Sequence, residues 1–158
     1  FMTNGKVTVD TQREAEYTRQ LAEVIIREYH RINCVFTSHL VAFVAFNMLQ
    51  KQYSKLDLYD LLRLPEDEIS LPYADFRNKV DEIRERIFEM KRNGEVNTSK
   101  YLHEDLDRVI RLGLENVGMY HSKRPLLRDK NGEIITQDLN TLYYYHNRMH
   151  GYDLEKYF

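Results

Sequence analysis

From Thr37 to Leu49 the chain runs Thr-Ser-His-Leu-Val-Ala-Phe-Val-Ala-Phe-Asn-Met-Leu, and a helix written in these residues is apolar around nearly its whole circumference. Such a helix has no face to offer water, so it belongs at the centre of a fold with other elements around it. Either Thr37 or Ser38 can cap its start. Its apolar heart, Leu40 to Phe46, is too short to cross a bilayer. The surrounding elements should also be helical. Six Gly and three Pro in 158 residues are about half the usual share of these two types, and a strand-rich sandwich needs more turns than that.

Apolar residues at Tyr17, Leu21, Val24, Ile25 and Ile32 follow one helix face, with Thr11 and Glu14 in capping-box positions, so a helix is expected from about Asp10 to Arg31. A polar break at Asn33 separates it from the central helix. Ser54 and Asp57 open a short helix, Leu56 to Leu64, stopped by Pro65, and the acidic stretch Glu66 to Glu68 is a solvated loop. Pro72 suits the first turn of the clearest helix, where Phe76, Val80, Ile83, Ile87 and Met90 recur in heptad spacing ahead of Gly94. Ser99 can cap a further helix carrying Leu102, Leu106, Val109, Ile110, Leu114 and Val117, ended by Gly118. Pro125 to Arg128 and Glu133 to Thr136 flank Asp129-Lys130-Asn131-Gly132, where Asn-Gly supplies the positive φ of a tight hairpin. Asp138 caps a last helix with Leu139, Leu142, Tyr143, His146 and Met149, closed by Gly151. The expected fold is mainly α: one helical domain, 1–158, of about six helices with one β-hairpin, winged-helix-like in its second half and divisible at most into halves 1–64 and 65–158.

Composition narrows the class. With 23 Lys and Arg against 25 Asp and Glu, 30% charged and 42% hydrophobic residues, the chain is neither a disordered tail nor a membrane-embedded protein. The near-neutral balance counts against nucleic acid as the main partner. A single cysteine, Cys34, cannot form an internal disulfide, and with no secretory leader or lipidation motif in view a reducing compartment is expected. Phe1 ahead of the first Met points to a piece of a longer protein.

Candidate chemistry is sparse. Of six histidines, only His146 and His150 lie at i and i+4, where they could share a metal, but no Glu-x-x-His motif or cysteine cluster accompanies them, so packing or surface roles fit better and no metal site is assigned. His103-Glu104-Asp105 reads as acidic residues answering a helix dipole. No phosphate-binding loop or nucleophile elbow is present, and Cys34, followed by Val35 and Phe36, reads as a packed thiol. No catalytic or cofactor-binding residue is therefore assigned. The cluster Lys123, Arg124, Arg128 and Lys130 surrounds the hairpin, making a basic wing that suits a phosphate-rich partner, or a sheet edge blunted by charge. Tyr143, Tyr144 and Tyr145 cannot all face one core. Tyr144 with Arg148 is therefore expected to dock the last helix onto the rest of the domain or onto a neighbouring one.

The segments Tyr29-His30-Arg31-Ile32-Asn33, Val35-Phe36-Thr37-Ser38-His39-Leu40-Val41-Ala42 and Leu142-Tyr143-Tyr144-Tyr145-His146-Asn147-Arg148 together resemble the C-terminal region of the large, membrane-associated glycerol-3-phosphate acyltransferase family, related to the dihydroxyacetone-phosphate acyltransferases. His146 stands where that family carries Arg. The resemblance implies acyl transfer from an acyl thioester, on coenzyme A or acyl carrier protein, to the 1-hydroxyl of glycerol 3-phosphate, with the His of a His-x-x-x-x-Asp motif as general base. Five positions after the six histidines here stand Val35, Val44, Arg108, Leu126, Gly151 and Glu155, never Asp. The chain is thus expected to be the accessory, non-catalytic region that follows the acyltransferase domain, inactive alone and without a cofactor. Its parent would work at the cytoplasmic face of the membrane. The upstream domain, the membrane surface and acyl carrier protein are its expected partners. Two rival readings are a winged-helix nucleic-acid-binding module and a helical oligomerisation domain using the Phe76 to Met90 stripe. The helix ahead of the hairpin counts against the first, since it sets Lys100, Arg108 and Arg111 against Glu104, Asp105, Asp107 and Glu115.

Overall fold

A computed structural model of the chain describes residues 2–3, 6–7, 9–65 and 69–158. The expected acidic loop, Glu66 to Glu68, lies outside the described residues. The chain is mainly helical. After a two-stranded antiparallel pair, β1 (Met2–Thr3) and β2 (Lys6–Val7), comes α1 (Thr11–Ile32), whose N-cap is Asp10, accepting the Arg13 N–H at 3.1 Å. The Thr11–Glu14 box therefore gives way to a carboxylate one residue earlier.

β3 (Cys34–Val35) leads into α2 (Thr37–Gln52), the all-round apolar helix. It is the hub of the fold: Leu40 to Ala45 are fully buried, and α4, α5 and α6 pack around it. Neither Thr37 nor Ser38 caps it, because both already lie inside the helix. His39 reaches back instead, its Nδ1 accepting the Phe36 N–H at 3.5 Å. α3 is only one turn, Leu58–Leu61, capped by Asp57 rather than Ser54.

β4 (Ser70–Leu71) and Pro72 precede α4 (Tyr73–Arg92), with Pro72 just outside the helix where its missing N–H costs nothing. The α4 stripe Phe76, Val80, Ile83 and Ile87 is at most 1% exposed, so it packs inside this chain and is not offered to a second one. Gly94 follows with φ +75°. β5 (Asn97–Thr98) then runs parallel to β3. The single helix expected from Ser99 is two elements, a 3-10 turn (Lys100–His103) and α5 (Leu106–Asn116). The chain breaks between them because Asp105 is extended and caps α5, accepting the Arg108 N–H at 3.0 Å. α5 crosses α2 at Gly113, where a Cβ would fall 2.5 Å from Val41 Cγ1 and 2.9 Å from the Thr37 carbonyl oxygen, so only glycine allows this approach.

The hairpin forms as expected, with β6 (Leu127–Arg128) antiparallel to β7 (Ile134–Ile135). Its turn is longer than a two-residue one. The Gly132 N–H reaches the Asp129 carbonyl at 3.1 Å, Gly132 takes φ +90°, and the Asp129 carboxylate accepts the Asn131 and Glu133 N–H groups, an arrangement of type I turn plus bulge. β4 pairs with β7, giving a three-stranded sheet in the order β4-β7-β6. With the one-turn α3, the two-residue β5 and the 3-10 turn set aside, α2, β4, α4, α5 and the β6–β7 hairpin come in the order of a winged helix, with the turn as the wing. α6 (Leu139–His146), capped by Asp138, packs on α2 through Leu142 and His146, and a 3-10 turn with Met149 buried ends it.

The hydrophobic core extends from Val35 to Leu154. α1 stands apart from it. Although its apolar residues are spaced as one face, none of its residues is buried.

Candidate functional site

The six residues singled out by the sequence fall in four places. Arg124 and Arg128 lie with α5 along an open groove of about 720 Å³ between that helix and the hairpin, also lined by Tyr73, Arg108, Ile110, Arg111, Leu114 and Leu127. Lys130 is exposed in the turn. Lys123 lies on a different concavity, with Leu62, Leu64 and Asp138, where its charge helps hold the Asp138 carboxyl below its ordinary value beside the hydrogen bonds from Thr141. Tyr144 and Arg148 belong to α6 and its following turn, away from the hairpin.

Each groove cation is held differently. Arg128 donates through Nε to the Gly132 carbonyl at 2.9 Å, and its guanidinium carbon lies 3.7 Å from the centre of the Tyr73 ring, so it ties the wing to the start of α4. Arg124 donates to the Glu115 carbonyl at 3.0 Å, while its backbone N–H meets the Gln137 side chain. Arg108 pairs with Glu104 at 3.3 Å. Asp107 is held by Arg77 at 2.8 Å, which lowers its carboxyl below the usual range. Arg111 forms no hydrogen bond or ion pair among the described residues. With Asp105, Asp107 and Glu115 also on its walls, the groove is an apolar floor rimmed by both signs of charge, with arginine in slight excess. The sequence reading missed Tyr73. Its signal was an aromatic directly after the helix-starting Pro72.

Tyr144 and Arg148 face each other across one helical turn, the Arg148 guanidinium 5.0 Å from the Tyr144 ring centre and donating to its hydroxyl. Tyr144 is 53% exposed. The pair therefore lies at the surface of α6, while Tyr143, packed on Phe46 at 5.0 Å, and the His146 ring, stacked 5.2 Å from Phe43, hold that helix against α2.

The remaining candidates settle into packing roles. Burial keeps His146 below the ordinary imidazole value; Asn147 meets its Nδ1, and its Nε2 has no partner among the described residues. It lines a cavity of about 490 Å³ with His150, which faces Glu155 at 3.6 Å. Among the described residues no group of three His, Cys, Asp or Glu side chains could hold a metal. His103 stacks on Phe88 at 4.7 Å, and its Nε2 meets Thr98 Oγ1 and Lys91 Nζ, both at 3.0 Å. Cys34 is half-buried in β3, less enclosed than its apolar neighbours implied.

No described helix is long and apolar enough to cross a membrane. Compared with protein-family models, curated proteins and solved structures, the chain matches none of them.

Proposed function

We propose that this chain is the C-terminal accessory, non-catalytic region of a glycerol-3-phosphate 1-O-acyltransferase of phospholipid synthesis that takes its acyl group from coenzyme A or acyl carrier protein. The observation that carries this reading is that α2 and α6, the helices on which the second and third resembling segments lie, pack on each other at the centre of the fold. The Tyr152 hydroxyl accepts from Asn33 Nδ2 at 2.9 Å and donates to the His30 carbonyl at 3.0 Å. α2 and α6 pack through Phe43, Phe46 and His146, and the charge of Arg148 reaches His39. The first segment is thus tied through Asn33 and His30 to Tyr152, just past the third, and the second and third lie on two helices that pack together.

In this reading the general base and its orienting carboxylate belong to an upstream acyltransferase domain, and the parent enzyme works at the cytoplasmic face of the membrane. The groove between α5 and the hairpin is a candidate contact for that domain, an anionic headgroup or the acidic carrier protein. The winged-helix order of elements favours a second reading, a nucleic-acid-binding module. The acids on α5 oppose it, because Asp105, Asp107 and Glu115 stand along the helix that would have to approach phosphate. The coding sequence ahead of Phe1 tests the first reading. It is expected to contain a His-x-x-x-x-Asp block within an acyltransferase domain. An upstream sequence without one, together with tight and steeply salt-dependent binding of duplex DNA by this chain, would transfer the assignment to the second.

A further inference from the structure

Two buried acceptor atoms on the walls of one cavity are left without partners. The cavity, about 490 Å³, lies where α2, α6 and the turn that begins at Glu155 come together, with Phe46, Tyr143, His146, His150 and Glu155 on its walls. His146 is only 6% exposed. Asn147 Oδ1 lies 3.2 Å from its Nδ1, so Nδ1 carries the proton and Nε2 is left as an acceptor. Neither that Nε2 nor Glu155 Oε1, both shut off from solvent, has a hydrogen-bond partner among the described residues. His150 Nδ1 stands 3.6 Å from the same carboxylate oxygen, beyond hydrogen-bond reach. Lys156, next in the chain, pairs with Asp153 at 2.8 Å instead. A buried acceptor left unmet is costly, so each of these two atoms calls for an occupant that donates.

We propose that this cavity binds a small organic ammonium, a primary amine on a short apolar stem, whose N–H groups are shared between His146 Nε2 and the Glu155 carboxylate. Because both orphaned atoms accept, the occupant must donate at least two hydrogens, and a primary ammonium carries three. The two acceptors are near enough for the Glu155 charge to act on the His146 ring. Charge then selects among donors. Among the described residues no lysine or arginine lines the cavity and Glu155 is its one carboxylate, so an anion meets repulsion and a cation meets its counter-charge. The Phe46 and Tyr143 rings, 5.0 Å apart, add a wall that favours a cation and accepts an apolar stem. A metal ion is a poorer occupant, because no group of three His, Cys, Asp or Glu side chains among the described residues could hold one. This site does not rest on the acyltransferase reading.

Nitrogen-15 correlation spectra of the 158-residue chain, titrated at neutral pH and constant ionic strength with n-butylammonium chloride to about 50 mM, test it. The His146 Nε2 resonance should shift saturably, together with the backbone amides of Asn147 and Glu155. Two probes with the same length of stem, 1-butanol without the charge and butyrate with the opposite one, should bind about tenfold more weakly or not at all. Glu155→Gln keeps the shape and removes the charge. Its side chain is 37% exposed, so thermal melting should match the parent while butylammonium affinity falls about tenfold. A His146 resonance that stays still throughout the titration means that the cavity holds only water, and overturns the proposal. So does 1-butanol binding as tightly as the amine, a set of shifts spread over the acidic surface that spares His146, or a folded Glu155→Gln chain that binds the amine unchanged.

Discussion

His39 does two jobs at the start of α2: its Nδ1 accepts the Phe36 N–H, and its ring meets Phe36 edge-on at 5.2 Å. Burial, helped by the charge of Arg148, pushes its pKa down from 6.5 to about 4. Burial lowers His146 in the same direction. Above pH 6.5 both rings are neutral in the folded and unfolded chain, so they add no pH dependence. As the pH falls from 6.5 toward 4, the unfolded chain takes up protons that the folded one refuses, and stability is lost across that window. The contribution of His39 is on the order of 1–3 kcal/mol. Urea midpoints at pH 7 and pH 4.5 should therefore lie closer together for His39→Gln, whose side-chain oxygen can still accept from Phe36, than for the parent chain. Equal losses in the two proteins would show that His39 is not the group responsible. Spacing alone did not mark His39, because the burial that lowers its pKa comes from the packing of the whole domain, with a smaller share from Arg148, more than a hundred positions on.

At the scale of the element, periodicity made the long helices legible and pairing partners stayed hidden. The all-round apolar run became the central α2, and the stripe from Phe76 became the inner face of α4. Two-residue strands such as β4 and β5 have no period to detect, and each exists only because a distant segment supplies its hydrogen bonds. The break at Asp105 was missed for a related reason. Leu102 and Leu106 keep helical spacing across it, although the Asp105 carboxylate, by capping α5, ends one element and starts the next. α1 shows the opposite failure, since its spacing marked a face correctly but could not say which way that face would turn. The three tyrosines of α6 divide accordingly. Tyr143→Ala, which empties the contact with Phe46 and His146, should lower stability by about 1–3 kcal/mol. Tyr144→Ala with Arg148→Ala together should stay within about 0.5 kcal/mol, since both are exposed. Thermal melts of the two variants decide this, and the opposite ranking would return the docking role to the Tyr144 and Arg148 pair.

For the whole molecule, the mainly helical class and the hairpin could be read from scarce glycine and proline and one Asn-Gly pair. The candidate groove could not, because Tyr73, Arg111 and Arg128 come from three separate elements that the β4-β7-β6 sheet and α5 bring side by side. The basic hairpin read as one patch is divided by the fold, with Arg124 and Arg128 turned to α5 and Lys123 turned away. The proposed accessory role makes this region a partner of an upstream acyltransferase domain, and that is its central claim. The most direct test is acyl transfer from a radiolabelled long-chain acyl-CoA or acyl carrier protein to glycerol 3-phosphate, measured for the 158-residue chain and for the longer, intact protein that the proposal calls for. The intact protein should form 1-acylglycerol 3-phosphate while the 158-residue chain gives only the blank rate. Turnover by the 158-residue chain itself, or an intact protein that transfers nothing from either donor, would contradict the account.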